Sequence, residues 1–379
     1  MGNFISQHVI IPKFTTPDVS GITFGGFAVD KYVCSQPNAT PAEGSPDVAH
    51  SGAAAAVPAI SKLGVPCWDY ITFPQAMIAC CNRGKGWHLT TAFEWAAMAF
   101  LAKKLGTQPH GGNANVDPPS DVTFTTEIAM LDKHLHGETA TYHRALTGTG
   151  PNTWAHNHLE SGVFDLQGLV YQWVMGLFIG VAGTDGHPEV LGNLDVTYAG
   201  SPYGRGTISA SGGNPPILTC DGATINWLKN WTVDEFNGMG VYIAEAAGGA
   251  GAWYAITDTT ATTILLTNGD APGNGVATFV ICKHIATDIG GGCTSGQKIL
   301  TLRDADADLK AFAIPATTDG TGAAAYGNDI YYFDKAALRA AFRGGDFNDL
   351  APAGVFCLDL TFAPSVSACG VGFRAAKAL

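Results

Sequence analysis

Two stretches in the first third of the chain carry the hydrophobic pattern of helices. Residues 72–82 place apolar side chains at the i, i+3, i+4, i+7 spacing that lines one face of a helix. Residues 90–104 are rich in Ala, Leu and Met, begin at a threonine that can cap a helix (Thr90 or Thr91) and end on lysines, which favour a helix C-terminus. We expect a third, shorter helix over residues 334–341.

The pattern changes in the middle of the chain, where short β-branched and aromatic runs alternate with glycine-rich turns. Four runs predict strands, at residues 240–244, 253–256, 262–267 and 277–282. They supply enough apolar side chains for a small core, so we predict an all-β module at residues 205–290, inserted between two parts of a main domain, 1–204 and 291–379. An elaborated loop without a core is the alternative. Residues 106–157 have weak periodicity and predict surface loop.

Composition narrows the range of partners. The chain has 379 residues, of which 46% are hydrophobic and only 14% charged, with 48 Gly and 20 Pro, which predicts a substantial core and many turns. A net charge of -12 argues against nucleic acid or anionic lipid as a partner. No apolar run approaches the ~20 residues of a membrane span, and no secretory signal begins the chain. We therefore expect a soluble protein without membrane insertion.

The nine cysteines are scattered along the chain without CxxC pairs, and their number is odd. This pattern favours free thiols over a disulfide framework, whose usual setting is a small secreted domain. The redox compartment stays open.

Four short segments share a pattern of aromatic, acidic and glycine residues. They are FGGFAVDKYV at 24–33, VPCWDY at 65–70 with GWHLTTAFEWAA at 86–97, GVFDLQGLVYQW at 162–173, and RGGDF at 343–347 with VGFRA at 371–375. In this order they resemble the motifs of the formylglycine-generating-enzyme type of C-type lectin fold, over roughly residues 22–195 and 325–379. The resemblance implies an α+β C-type-lectin-like domain that carries the small all-β module as an insertion.

The resemblance gives the matched side chains structural roles. Three tryptophans would bury large apolar areas while each indole N–H donates a hydrogen bond. They are Trp68, Trp95 and Trp173. Glu94 and Asp165 would anchor backbone groups, with Arg343 and Arg374 as their partners, because buried carboxylates need partners.

Two departures from the family argue against enzymatic activity. Members that oxidise cysteine carry two cysteines shortly after the RGG motif, where this chain has Asn348 and Ala353, so a soft Cu(I) ion has no thiolate pair. The helical motif of an iron-dependent sulfoxide synthase is also absent. We expect no catalytic residue, no metal and no cofactor. Five histidines leave a metal-dependent enzyme as an alternative: His134, His136, His143, His156 and His158.

The terminal segment, residues 343–374, alternates a set of mainly apolar, Gly and Pro positions with more varied ones. This set, the frame residues, comprises 353–356, 358, 360, 363–365 and 372–374. The segment resembles the variable region of proteins diversified by retroelements, in which adenine-directed mutation of asparagine codons cannot produce Lys, Glu, Gln, Met or Trp. None of these five types occurs among residues 346–370, where the overall composition predicts about three.

The resemblance implies fifteen variable positions that together bind a ligand. They are Asp346, Phe347, Asn348, Asp349, Leu350, Ala351, Pro352, Cys357, Asp359, Thr361, Phe362, Val366, Ala368, Cys369 and Gly370. Positions 357, 359 and 361 alternate with frame positions, which predicts a strand with one face buried and the variable face exposed. Exposed Phe347, Leu350 and Phe362 beside acidic and amide side chains would resemble a paratope, with apolar anchors and adaptable polar contacts.

These observations predict a receptor-type binding protein, the variable protein of a diversity-generating retroelement, displayed on a virion or cell surface. Its partner would be a protein or cell-surface ligand whose identity the sequence leaves open, as it does the oligomeric state. The alternatives are a formylglycine-generating-type or metal-dependent enzyme, and a structural component of a virion or cell surface in which the β module makes the main contacts.

Overall fold

The computed structural model describes about two thirds of the chain. The described residues are 6–41, 57–111, 127–132, 144–180, 188–191, 203–209, 216–219, 235–245, 251–260, 262–267, 274–284, 293–304, 309–334, 336–349 and 353–379. Among them, 41% lie in strands and 12% in helices.

The described elements, in chain order, are two α-helices and a series of mostly short strands. The helices are α1 (Phe73–Cys81) and α2 (Ala92–Leu105). The strands are β1 (His8–Ile11), β2 (Phe14–Thr16), β3 (Val19–Phe24), β4 (Phe27–Asp30), β5 (Cys34–Ser35), β6 (Ile60–Ser61), β7 (Trp87–Leu89), β8 (Tyr171–Ile179), β9 (Pro188–Leu191), β10 (Tyr203–Ser209), β11 (Ile217–Thr219), β12 (Gly240–Glu245), β13 (Ala252–Thr259), β14 (Thr263–Leu266), β15 (Gly275–His284), β16 (Cys293–Leu302), β17 (Pro315–Asp319), β18 (Ile330–Phe333), β19 (Arg339–Arg343), β20 (Leu358–Leu360), β21 (Val371–Phe373) and β22 (Ala375–Ala378).

The expected α+β C-type-lectin-like fold is wrong. The described chain is mostly β, with large sheets and a closed six-stranded barrel, whereas helices account for only 12% of its residues. The four motifs that suggested the fold are short and specify local packing around a few Trp, Gly and Arg side chains. They leave the strand content between them undetermined, so they could not exclude a β architecture.

The middle of the chain forms the closed barrel. Strands β10, β11, β14, β13, β12 and β15 pair in this order, and antiparallel pairing of β15 with β10 closes the ring, with Tyr203 opposite Val280 and Ile208 opposite Gly275. The strands predicted at 240–244, 253–256, 262–267 and 277–282 are confirmed as β12, β13, β14 and β15. The division of the chain into a main domain and an inserted module stays a prediction.

A central sheet connects the barrel to the terminal segment. The order is β15, β9, β8, β19, β20, β18, β16 and β17, and β21 pairs with β8 in parallel. Trp173 of β8 and Phe342 of β19 face a core shared with α1 and the barrel, whereas Val174 and Ala341 face a core shared with α2. The sheet is therefore covered on both faces, which explains its continuous apolar strands.

Both long predicted helices are confirmed. Each begins with a capping box, in which Thr72 pairs with Gln75 in α1 and Thr91 with Glu94 in α2. Helix α2 ends at Gly106, whose φ of 70° is the left-handed conformation that favours glycine.

The predicted third helix over residues 334–341 is wrong, because Arg339–Arg343 forms strand β19. Its alanines have helical preference, yet β19 is held between β8 and β20 by antiparallel pairing, and this tertiary context overrides a weak local preference.

The described part of residues 106–157 is largely irregular, as expected. It contains one short 3-10 helix, Asn152–Trp154, and an isolated bridge between Leu131 and Ala145. Within the described residues, no helix is both long and apolar enough to cross a membrane.

Candidate functional site

The backbone of the terminal segment is held by hydrogen bonds from residues outside the predicted variable positions. The Trp95 indole donates to the Val355 carbonyl (2.8 Å), and the Phe356 N–H donates to Asp329 Oδ2 (2.7 Å). Further along, the Arg144 guanidinium donates to the Cys369 carbonyl (2.7 Å).

Backbone donors from other elements continue this pattern. Ala340 N–H donates to the carbonyl of residue 362, Phe73 N–H to that of 364, Tyr70 N–H to that of 368 and Tyr171 N–H to that of 370, at 2.8–3.1 Å. These bonds involve only backbone atoms of the segment. Its path is therefore fixed independently of most of its side chains.

The frame residues are buried at nearly all positions. Ala353, Phe356, Leu358, Leu360 and Phe373 are fully buried, as is the Arg374 side chain. Among the frame residues, only Ala363 and Ser365 reach solvent. The frame thus packs the segment against both cores of the central sheet.

Strand β20 lies in the interior of the central sheet, parallel to β18 and antiparallel to β19. Leu358 and Leu360 pack in the core shared with α2, and Asp359 between them points to the other face, where its register partner is Phe342. The predicted alternation of faces is therefore correct.

The expected exposure is wrong for four of the predicted variable positions. Phe347, Cys357 and Asp359 are only 1%, 1% and 3% exposed, and Gly370 is also buried. Burial raises the pKa of Cys357 and of Asp359, and the charge of Asp349 raises both pKa values as well.

Eight of the predicted variable positions are half-exposed or exposed, and we name them the display positions. They are Asp346, Asn348, Asp349, Thr361, Phe362, Val366, Ala368 and Cys369. Leu350, Ala351 and Pro352 lie outside the described residues, so their expected exposure stays a prediction.

A cluster of aromatic side chains, Tyr171, Trp173 and Phe342, packs against Phe362, which is one of the display positions. Phe342 stacks on Trp173 with ring centroids 3.8 Å apart, and it meets the Phe362 ring edge-on at 5.4 Å. Tyr171 contacts Phe342 at 5.5 Å. Phe362 is 37% exposed, so one part of its ring packs on this group while the rest meets solvent. Such a side chain is suited to anchor a partner.

Three carboxyl groups gather beside this aromatic group. The pKa of Asp359 is raised to about 6, because burial and the neighbouring Asp349 raise it by more than hydrogen bonds from Thr361 lower it. Burial also raises the pKa of Asp349, which bonds to Tyr171. Asp346 accepts the Asn348 N–H at 2.9 Å and fixes the turn that carries both residues.

Close packing links two of the predicted variable positions. A Cβ atom at Gly370 would lie 2.2 Å from Asp346 Oδ2 and 3.1 Å from its Cγ. A larger residue at 370 therefore requires a shift or a smaller side chain at 346.

The motif side chains have the structural character expected of them, with different partners. Glu94 bonds to His88 (2.9 Å) and to the Thr91 N–H, rather than to an arginine. Arg343 donates to the carbonyls of Phe312 and Phe356, not to a carboxylate. Arg343 can bond to the backbone in this way because its planar guanidinium group donates to several carbonyls at once.

Asp165 does lie beside Arg374, as expected. The Arg374 guanidinium donates to the Phe164 and Asp165 carbonyls at 2.7 and 3.1 Å. The Asp165 carboxylate accepts the backbone N–H groups of Val33 and Gly148. Burial raises the pKa of Asp165 to about 6, although the Arg374 charge lowers it.

The histidines do not form a metal site in the described residues, where no group of three or more His, Cys, Asp or Glu side chains could hold a metal ion. His156 is a core residue whose Nδ1 accepts the Val163 N–H at 2.9 Å, and burial lowers its pKa to about 4. His158 lines a pocket with His110. His134, His136 and His143 lie outside the described residues.

Cys357 is a free thiol in the described structure, as are Cys34, Cys67, Cys80 and Cys81. Sequence reasoning missed two features of the site, the support of Phe362 by Phe342 and the contact of Tyr171 with Asp349. The first depends on the pairing of β19 with β20 and the second on the pairing of β8 with β19, and neither pairing has a local sequence signal.

Comparison with models of known protein families gives no match, and comparison with curated proteins gives none either.

Proposed function

We propose that the chain is a receptor-type binding protein and that its terminal segment forms the ligand-binding surface. The observation that carries this proposal is the contrast in burial between the frame residues and the display positions of the segment. Its frame residues, apart from Ala363 and Ser365, are buried and its backbone accepts hydrogen bonds from other elements, whereas the display positions reach solvent. A surface of this kind can change its side chains while its backbone keeps one path.

The proposal includes the origin of the variation. The segment is diversified by a retroelement, and the protein is its variable protein, displayed on a virion or cell surface. The absence of Lys, Glu, Gln, Met and Trp from residues 346–370 supports this origin. The ligand is a protein or another cell-surface molecule, because the display positions mix an aromatic anchor with acidic, amide and hydroxyl groups.

The diversified positions differ in how freely they change. Phe347, Cys357 and Asp359 are buried, so substitutions there affect folding as well as binding. Free variation is concentrated at the eight display positions.

A selection experiment tests this function directly. The eight display positions are randomised together in the full chain, and the library is selected for binding to a folded protein such as lysozyme. We expect binders whose affinity disappears when the selected residues are returned to the original ones.

A matched library provides the control. It randomises eight exposed or half-exposed positions of the β16–β17 hairpin, namely Ser295, Gln297, Lys298, Thr301, Ala316, Thr317, Thr318 and Asp319. The proposal predicts many fewer binders from this library. Equal yields from the two libraries, or no binders from the first, would contradict it.

A further inference from the structure

A pocket lies at the C-terminal end of α2, and none of the display positions lines it. Its volume is about 440 Å³, within the ~300–1,000 Å³ that is usual for small-molecule sites. Its walls come from the loop after α2, from residues 324–329, and from His158 and Gln167. The proposed binding surface makes no use of this pocket.

Gln167 gives the pocket wall a donor that the described protein leaves unused. The residue is 3% exposed, and its side-chain Nε2 has no hydrogen-bond partner among the described residues. A buried amide donor without an acceptor is costly, so such groups are normally satisfied by protein, water or ligand. A ligand oxygen in the pocket would accept this hydrogen bond.

His110 is held in a fixed orientation on the same wall. Its Nδ1 lies 3.1 Å from Glu127 Oε1, and the Glu127 carboxylate also accepts from the Thr153 hydroxyl (2.7 Å) and the Trp154 indole (3.0 Å). The carboxylate makes Nδ1 the protonated nitrogen of the neutral ring, so Nε2 is an acceptor. Burial lowers the pKa of His110, which keeps the ring neutral at pH 7.

His158 presents a second imidazole, with its ring centroid 5.1 Å from that of His110. Its Nε2 lies 2.9 Å from the Gln108 carbonyl and must donate to it, which leaves Nδ1 as an acceptor in the neutral ring. His158 and Gln167 both line the pocket, so an acceptor and a donor are available to a ligand there.

The charged groups of the pocket have opposite signs. Lys103 lines it and bonds to Asp18, and Asp329 lines it and accepts the Phe356 N–H. Neither an anion nor a cation is favoured by such a wall. Hydroxyl groups, which donate and accept at once, match donors and acceptors that lie close together.

We propose that this pocket binds a small neutral polyhydroxylated molecule, a monosaccharide or a polyol. The Gln167 amide donates to a ligand oxygen, and the imidazole of His158 accepts from a ligand hydroxyl. This site is independent of the display positions.

The test uses the full chain and defined probes. D-glucose, D-galactose, D-mannose, N-acetyl-D-glucosamine and glycerol are titrated by calorimetry and by ligand-observed NMR. We expect at least one to bind, and Gln167→Met, which keeps the side-chain length but removes the donor, to weaken binding roughly tenfold. Gln7→Met, at an exposed position, is the matched control and leaves affinity unchanged.

A second Gln167 variant and two charged probes complete the test. If Gln167→Met loses its fold by circular dichroism, Gln167→Glu replaces the amide donor with acceptors and is expected to weaken binding too. Binding by none of the five probes, or equal affinity in wild type and a folded Gln167 variant, would overturn the proposal. Stronger binding of inorganic phosphate or methylamine would also overturn it, since these charged probes need a charged site.

Discussion

At the residue scale, buried titratable side chains contribute to stability in a way that depends on pH. His156 is 4% exposed and accepts a backbone N–H through Nδ1, so it folds as the neutral ring. Burial lowers its pKa from 6.5 to about 4. A histidine with a lowered folded pKa gives its full stability above pH 6.5, and this stability is lost as the pH falls toward 4.

His156→Asn tests this linkage, because the Asn carbonyl can accept the same N–H but does not titrate. Between pH 7 and pH 4 we expect wild type to lose about 3 kcal/mol more unfolding free energy than the variant. Asp165 and Asp359, whose pKa values are raised to about 6, become destabilising as the pH rises, but they are present in both proteins and cancel in the difference. Urea unfolding at the two pH values measures the difference in unfolding free energy between wild type and variant. A difference that is the same at pH 7 and pH 4 would refute the linkage.

Gly370 and Asp346 provide a second prediction at this scale. Gly370→Ala places a methyl group 2.2 Å from Asp346 Oδ2, so we expect a loss of about 1–3 kcal/mol in unfolding free energy. Asp346→Ala removes the obstructing carboxylate, and the double variant should recover much of the loss. A double-mutant cycle by urea unfolding measures this coupling, and strictly additive effects would show that the two side chains do not compete for space.

At the scale of elements, the local sequence pattern correctly predicted the helices and strands that short-range interactions determine. The spacing of apolar residues located α1, composition and end signals located α2, and β-branched and aromatic runs between glycine-rich turns located β12 to β15. The pattern failed for β19, where pairing with β8 overrides the helical preference of its alanines. It also failed for the exposure of Asp359, because alternation shows on which face of the sheet a side chain lies but not whether other residues cover that face.

At the same scale, a side chain that holds the backbone of the terminal segment and a side chain at a display position differ in their expected effect on stability. Trp95→Phe leaves the Val355 carbonyl without its indole donor in a fully buried site, so we expect a loss of about 2–3 kcal/mol. Phe362→Ser changes a display position whose backbone is bonded by Ala340, and we expect a loss of about 1 kcal/mol or less. Thermal and urea unfolding of both variants provides the comparison, and a greater loss in Phe362→Ser would contradict the separation.

At the scale of the whole molecule, long-range pairing decides the architecture. Barrel closure joins Tyr203 to Val280, and the central sheet places β20 between β18 and β19. Sequence patterns carry little information on such contacts, which is why the motifs led to the wrong fold class while the barrel strands were located correctly. For the candidate surface, the resemblance gave fifteen variable positions, of which eight reach solvent and four are buried.

The central claim is that the terminal segment is a diversified binding surface on a fixed frame. Nucleotide sequencing of this locus in many isolates of one lineage tests it most directly. The account predicts substitutions at template adenines, confined to the fifteen variable positions between Asp346 and Gly370 and most varied at the display positions, while the frame residues stay constant. An unvarying segment, or substitutions spread equally over frame and display positions, would contradict it.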